Sequence, residues 1–127
     1  MYNFSKFTAL KQRSVDKISI TGSNTFNFPS KFYNDNGLSS YKYVVIYYDL
    51  SAEAIGLQFT NNEEEKYKLT IQKSDRGYGG FISATSFFKT NNIDIKTYKG
   101  RYSWKKETVE NIGELFIIDL KERRELT

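Results

Sequence analysis

The feature that most constrains this chain is a strand–turn–strand segment that ends at its one proline. Apolar and polar residues alternate in segments 18–21 and 26–28, as they do in half-buried strands. Pro29 comes next; it cannot donate to a strand ladder, and its fixed φ suits the first turn of a helix. The pattern therefore predicts two short strands and then a helix over residues 30–36, which Asn36 and Gly37 end, since either residue tolerates a left-handed conformation.

A long hairpin is predicted after this helix. Residues 43–48 are apolar on both faces of an extended chain, which is typical of a central strand. Beyond a short polar turn, Ile55, Leu57 and Phe59 occupy alternate positions and define a second strand with one buried face. Strands, helix and hairpin together make one unit over residues 18–60.

A second, similar unit is predicted over residues 67–120. Segments 32–38 and 87–93 both read two aromatics, two polar residues, Asn, Asn or Gly, and then an aliphatic residue. One unit is too small to bury both of its faces, whereas two interleaved units share a core. The further expectations for this half are strands at 67–72, 81–82 and 115–120, an exposed strand at 101–109, a helix capped by Ser83 or Ser86, and a polar connection at 94–100.

The predicted fold is therefore a single domain over residues 1–127, mainly β (a β-rich α+β chain) with two short helices. If the repeat is real, a monomer with an internal pseudo-twofold axis is self-sufficient. If the two segments are alike only by chance, a homodimer is expected instead, because one unit then needs a partner to complete its core.

Composition excludes several kinds of chemistry. The chain has neither Cys nor His, so it has no disulfide, no thiolate metal site and no histidine base. Segment 77–80 is glycine-rich, but no Lys-Ser or Lys-Thr pair follows it, and the other common catalytic motifs are missing. We therefore expect no enzyme activity, no cofactor and no metal.

The charge balance permits an acidic partner. Lys and Arg number 19 against 15 Asp and Glu, for a net charge of +4. A mildly basic chain of this kind is compatible with nucleic acid but does not require it. No apolar run reaches the length of a signal peptide or a membrane span, so we expect a soluble cytoplasmic protein that does not enter a membrane.

Cations and aromatic residues are interleaved in segment 96–106. Lysine and arginine side chains neutralise phosphates and release counterions, and exposed rings stack on unpaired bases. The alternative is that Tyr102 and Trp104 belong to the core and the cations only face solvent. The pattern by itself leaves both interpretations open.

The segment around Pro29 resembles the AbrB/MraZ/SpoVT family of swapped-hairpin barrels. The family pattern is apolar, any, apolar, Pro, two residues, apolar, and then Gly and an aliphatic eight and nine positions after the Pro. Phe32, Gly37 and Leu38 stand at those spacings from Pro29. The resemblance covers residues 18–60, and the repeat extends it toward residue 120. The second half has no proline at the matching position.

The resemblance implies two interleaved strand–short helix–hairpin units in a swapped-hairpin-like barrel, and a small DNA-binding transcription regulator that acts by electrostatic docking. An alternative is a protein-interaction module, antitoxin-like or a phage-type inhibitor, that uses a tyrosine-rich surface. A Lys/Arg stripe favours the first interpretation, and an exposed aromatic patch without cations favours the second. The residues expected to meet phosphates are Arg13, Lys17, Lys31, Arg76, Lys89, Lys99, Arg101, Lys105 and Lys106.

Overall fold

Two antiparallel sheets of five strands each contribute to one hydrophobic core. The computed structural model describes residues 4, 17–73 and 79–122. The mainly β fold predicted from the sequence is confirmed. The strands are β1 (Ile18–Ile20), β2 (Thr25–Phe28), β3 (Tyr43–Asp49), β4 (Ala54–Thr60), β5 (Leu69–Thr70), β6 (Gln72–Lys73), β7 (Gly80–Ser83), β8 (Gly100–Tyr102), β9 (Trp104–Val109) and β10 (Gly113–Asp119).

Each sheet contains strands from both halves of the chain. Sheet one has the order β6-β7-β2-β1-β8, and sheet two has the order β5-β3-β4-β10-β9. The central strands β2 and β4 each pair on one side with a strand of the first half, β1 and β3, and on the other with a strand of the second half, β7 and β10. Short helices connect the strands: α1 (Ser30–Asp35), α2 (Thr85–Thr90), α3 (Ile95–Tyr98) and a 3₁₀ turn (Leu120–Glu122).

Besides the connection through α1, two nearly continuous strands pass from one sheet to the other. Only Ile71 separates β5 in sheet two from β6 in sheet one, and its N–H donates to the carbonyl of Lys42 at 2.8 Å. Only Ser103 separates β8 in sheet one from β9 in sheet two. The strands predicted as continuous at 67–72 and 101–109 are therefore each divided between two sheets. The first of them begins at Leu69 rather than residue 67.

Helix α1 begins and ends where the sequence predicts. Pro29 is its N-cap residue with φ −67° and ψ 158°. Asn36 Nδ2 donates to the carbonyl of Phe32 at 2.8 Å, and Gly37 then takes φ 63°. The N–H of Leu38 donates to the carbonyl of Tyr33 at 2.9 Å, and this bond turns the chain back at the end of the helix.

Helix α2 ends with the same set of hydrogen bonds. Asn91 Nδ2 donates to the carbonyl of Phe87 at 2.9 Å, and Asn92 takes φ 55°. The N–H of Ile93 donates to the carbonyl of Phe88 at 2.9 Å. Sequence positions that match between the two helices therefore also match in their hydrogen bonding.

Two local expectations in the second half are wrong. The N-cap of α2 is Ala84, with no side-chain hydrogen bond, rather than Ser83 or Ser86. The predicted polar connection contains helix α3, which Asp94 caps: its Oδ1 accepts from the N–H of Lys96 at 3.2 Å. A carboxylate at this position satisfies a free N–H of the first turn, so a short helix forms in a polar segment.

The inner faces of both sheets meet at an aromatic cluster under α1. Phe32 is fully buried, and its ring lies 5.0 Å from Trp104, 5.1 Å from Phe116 and 5.9 Å from Phe28. Phe59 lies 5.0 Å from Phe28, so the cluster joins sheet one to sheet two. No helix in the described part of the chain is long and apolar enough to cross a membrane.

Candidate functional site

The outer face of sheet one carries a row of polar and aromatic side chains. Ile18, Ile20 and the other inward residues of these strands are buried, so the residues between them face outward. Ser19 pairs with both Arg101 and Asn27, Asn27 pairs with Phe81, and Phe81 pairs with Gln72. We call the set Lys17, Ser19, Thr25, Asn27, Phe81, Lys99 and Arg101 the sheet-one outer face.

Hydrogen bonds hold the centre of this face in place. The hydroxyls of Thr21 and Thr25 lie 2.6 Å apart, and Thr25 Oγ1 donates to Asn27 Oδ1 at 3.1 Å. Because this bond uses the amide oxygen of Asn27, the amide Nδ2 donors remain for a ligand. No group in the described residues accepts from them. The result is a low surface of small side chains with an ordered donor at its centre.

Three cations lie along the β8 edge of this face. Arg101 is exposed in the middle of β8. Lys17 precedes β1, and its Nζ donates to Ser103 Oγ, just past the other end of β8, at 3.2 Å. Lys99 precedes β8 and lies beside the β1–β2 turn, since a Cβ placed on Gly22 would be 4.0 Å from Lys99 Cδ. The cations therefore form a stripe parallel to β8.

The two sheets differ in their carboxylates. The five strands of sheet one contain no Asp or Glu, whereas those of sheet two contain Asp49, Glu107, Glu114 and Asp119. Within the described residues, none of the three cations of the β8 stripe has a carboxylate partner. A phosphate bound there would not have to displace a carboxylate of the described residues.

The cations of sheet two are already paired. Lys105 Nζ lies 3.0 Å from Glu107, and the hydrogen bond to that carboxylate raises the pKa of Lys105. Lys106 Nζ lies 3.7 Å from Glu114 and 5.6 Å from the centre of the Phe116 ring. Both pairs are exposed, so each contributes little to stability, but each reduces the charge available to a ligand.

The predicted phosphate contacts are thus only partly brought together. Lys17, Lys99 and Arg101 share the sheet-one outer face. The others are dispersed or fall outside the described residues: Lys31 is on α1 and 2.8 Å from Asp35, Lys89 is on α2, Lys105 and Lys106 are on β9, and Arg13 and Arg76 are not described.

The aromatic residues of segment 96–106 belong to the core. Tyr102 is completely buried, and its hydroxyl donates to the carbonyl of Tyr98 at 2.6 Å. Trp104 is half-buried and packs on Phe32 and Phe116. Alternation along β8 and β9 turns residues 102 and 104 inward, so the idea that these rings stack on bases is wrong.

Phe81 is the aromatic residue of the outer face, and it was not among the residues predicted to form a site. It is half-buried and is not part of the core cluster. The signal was present in the sequence, since Gly80 and Ile82 face inward and Phe81 between them must face outward. What the sequence could not show is that β7 pairs with β2, which places Phe81 beside Asn27.

A second surface lies on the outer face of sheet two. Val45 and Leu115 are buried there, away from the core cluster. A cleft of about 340 Å³ is lined by Tyr47, Gly56, Ile112, Ile117 and neighbouring residues, without any Lys or Arg. The cleft is mainly apolar, and the ion pair of Lys105 and Glu107 lies beside it on β9, opposite Ile117 and Leu115.

The sheet-one outer face offers cations, amide and hydroxyl groups and one ring, groups that are complementary to a polyanion. In the described part of the chain, no three acidic residues converge into a cluster that could hold a metal ion. No protein-family model, curated protein or solved structure matches this chain.

Proposed function

We propose that this chain is a non-catalytic protein that binds nucleic acid, DNA in the first instance, through the sheet-one outer face. The observation that carries the proposal is the stripe of Lys17, Lys99 and Arg101 along a sheet without acidic residues. When these side chains neutralise phosphates, cations condensed on the nucleic acid are released, and this release supplies much of the affinity. A role in transcription regulation is the biological setting that the swapped-hairpin resemblance implies.

We propose further that residues 18–60 and 67–120 are two interleaved units of the swapped-hairpin kind. The pairing of β2 with β7 and of β4 with β10 supports this, because each of these two pairs contains one strand from each unit. The matching ends of α1 and α2 support it as well. In this arrangement one chain completes its own core without a second copy.

The test is the salt dependence of DNA binding, measured by fluorescence anisotropy with a labelled oligonucleotide. Three phosphate contacts predict a slope of log affinity against log salt of about −2 to −3. Replacing Lys99 and Arg101 together by Ala should make the slope less steep by about 1.5 and weaken binding at about 50 mM salt. The slope measured for the wild type indicates how many phosphates the protein neutralises.

The matched control is Lys105→Ala with Lys106→Ala. This double variant loses the same two charges, but from sheet two, where both lysines pair with carboxylates. It should bind nearly as well as the wild type. Equal losses in the two double variants would mean that only net charge matters, and absent binding at about 50 mM salt or a flat salt dependence would overturn the proposal.

The second candidate function, a protein-interaction module, is favoured by the apolar outer face of sheet two. Apolar patches mark protein contacts more often than nucleic-acid contacts, and the lysine beside this patch, Lys105, is paired with Glu107. A photo-crosslinking residue at position 117, in place of Ile117, would then trap a partner protein in the native cell, and one in place of Arg101 would not. Trapping of nucleic acid at position 101 alone would reject this second candidate.

A further inference from the structure

We infer that the nucleic acid on the sheet-one outer face is single-stranded, with its backbone along β8 and its bases laid across β1, β2 and β7. This inference rests on the proposed function and names the form of nucleic acid that the same face accepts. Three features of the face carry it: its width, the arrangement of its cations and the side chains between β8 and β7.

The width of sheet one keeps its face out of a DNA groove. Five strands at about 4.8 Å spacing span about 19 Å. The major groove of B-DNA is about 12 Å wide and admits a helix or a two-stranded ribbon. The face therefore cannot reach the base edges of a duplex, whereas the bases of a single strand can lie flat upon it.

The positions of the cations match one nucleic-acid backbone rather than the two of a duplex. Lys99, Arg101 and the Lys17–Ser103 pair follow β8 at intervals of two residues, or about 6.6 Å. This interval is comparable to the separation of successive phosphates in an extended single strand. At the opposite edge, Lys73 donates to the carbonyl of Ser39 at 3.0 Å and lies 5.5 Å from the Tyr33 ring. It is thus engaged away from the outer face.

The side chains between the cation stripe and β7 can accommodate nucleic-acid bases. Ser19, Thr25 and Asn27 are small, so they leave a low surface next to β8. Phe81 is three strands from Arg101, or about 14 Å, and presents a half-exposed ring. Stacking of a base on such a ring contributes about 1–3 kcal/mol and tolerates any base. Asn27 Nδ2 adds a donor for a base carbonyl or ring nitrogen.

The experiment compares a labelled oligothymidine and a labelled duplex of the same length at equal salt. Wild-type protein should bind the single strand at least tenfold more tightly. Phe81→Ala should weaken single-strand binding about 5- to 150-fold and leave duplex binding and the salt slope unchanged, because it removes a ring and no charge. Phe81→Tyr keeps the ring and should bind like the wild type. Thermal melts establish that both variants are folded.

The outcomes separate this inference from the function on which it rests. Duplex binding as tight as single-strand binding, or equal losses on both ligands in Phe81→Ala, overturns the inference and leaves nucleic-acid binding standing. Failure to bind either ligand overturns both. If Phe81→Ala does not fold, the wild-type preference and Phe81→Tyr still decide, since a tyrosine variant that loses only the single strand contradicts simple stacking.

Discussion

At the scale of single residues, Gly79 shows most directly how sequence restricts structure. It adopts φ 90°, and a Cβ placed on it would lie 2.1 Å from the carbonyl oxygen of Phe28. Only glycine fits this conformation and this close contact. Gly37 has a similar φ of 63°, but no atom lies within 4 Å of its Cβ position. A comparison of substitutions at the two glycines therefore separates the cost of backbone strain from the cost of steric overlap.

We expect Gly79→Ala to lower the free energy of unfolding by about 3 kcal/mol or more, because strain and overlap act together. Gly37→Ala should cost about 1–2 kcal/mol, from the left-handed backbone alone. Urea denaturation followed by the fluorescence of Trp104, the one tryptophan, measures both. Equal costs would show that the backbone beside Phe28 moves aside easily.

The environment of Arg101 could not be predicted from the sequence. Arg101 and Lys105 occur in the same interleaved segment and both lie on outward positions of their strands. Arg101 faces Ser19 on the neighbouring strand, whereas Lys105 has Glu107, two residues along its own strand, at 3.0 Å. The Lys105–Glu107 pair follows from local alternation, but the neighbour of Arg101 depends on register and strand pairing.

At the scale of elements, the β3–β4 hairpin shows how a turn acquires a dependence on pH. The carboxylate of Asp49 accepts from the N–H of Ala52 at 3.1 Å and from the hydroxyl of Ser51 at 3.0 Å. Both bonds hold the pKa of Asp49 below its usual value, and the bond from the N–H of Ala52 has the larger effect. A lowered pKa means that the carboxylate stabilises the folded hairpin when it is ionised.

The stabilisation by Asp49 should be present above the usual aspartate pKa of about 3.9 and lost as the pH falls through the lower pKa of the folded state. The stability difference between wild type and Asp49→Asn should therefore shrink on acidification. An NMR titration should show the pKa of Asp49 rising toward its usual value in Ser51→Ala. An unchanged pKa in that variant would rule out the hydroxyl as a cause.

Elements with strong local signals were predicted well. Pro29, Asn36 and Gly37 define α1 through backbone restrictions that act within a few residues. The division at Ser103 and the helix α3 were missed. The first depends on which sheet each part of the strand joins, and the second on one aspartate cap in an otherwise polar segment.

At the scale of the whole molecule, Phe32 links the two sheets. Its ring contacts Phe28 from sheet one, and Phe59, Trp104 and Phe116 from sheet two. A cavity at this point removes contacts on both sides of the core, and its walls belong to two sheets that cannot easily collapse inward. The residue thus contributes to the joining of the layers as well as to the packing of α1.

We expect Phe32→Ala to lower the free energy of unfolding by about 3–5 kcal/mol. Phe87→Ala, at the matching but only half-buried position of α2, should cost less. Denaturant unfolding of both variants measures the difference. A greater cost at Phe87 would contradict the assignment of the main aromatic cluster to α1.

The sequence was enough to predict a mainly β chain with strands and helices close to their observed positions, because alternation and turn chemistry are local. The order of strands within the sheets was not available from such patterns. The candidate site depends on that order, since only the β1–β8 and β2–β7 pairings bring Arg101 and Phe81 onto one face. The cations of the stripe were therefore predicted as individual residues, but their arrangement on one face of a sheet was not.

The two strands that change sheet have a consequence for how the molecule can come apart. Segments 69–73 and 100–109 each hold ladder bonds in both layers, on opposite sides of the core. Neither sheet can unfold without breaking ladder hydrogen bonds in the other, so partial unfolding costs free energy at both edges of the core. The two layers should accordingly melt as one cooperative unit, with no half-folded form in between.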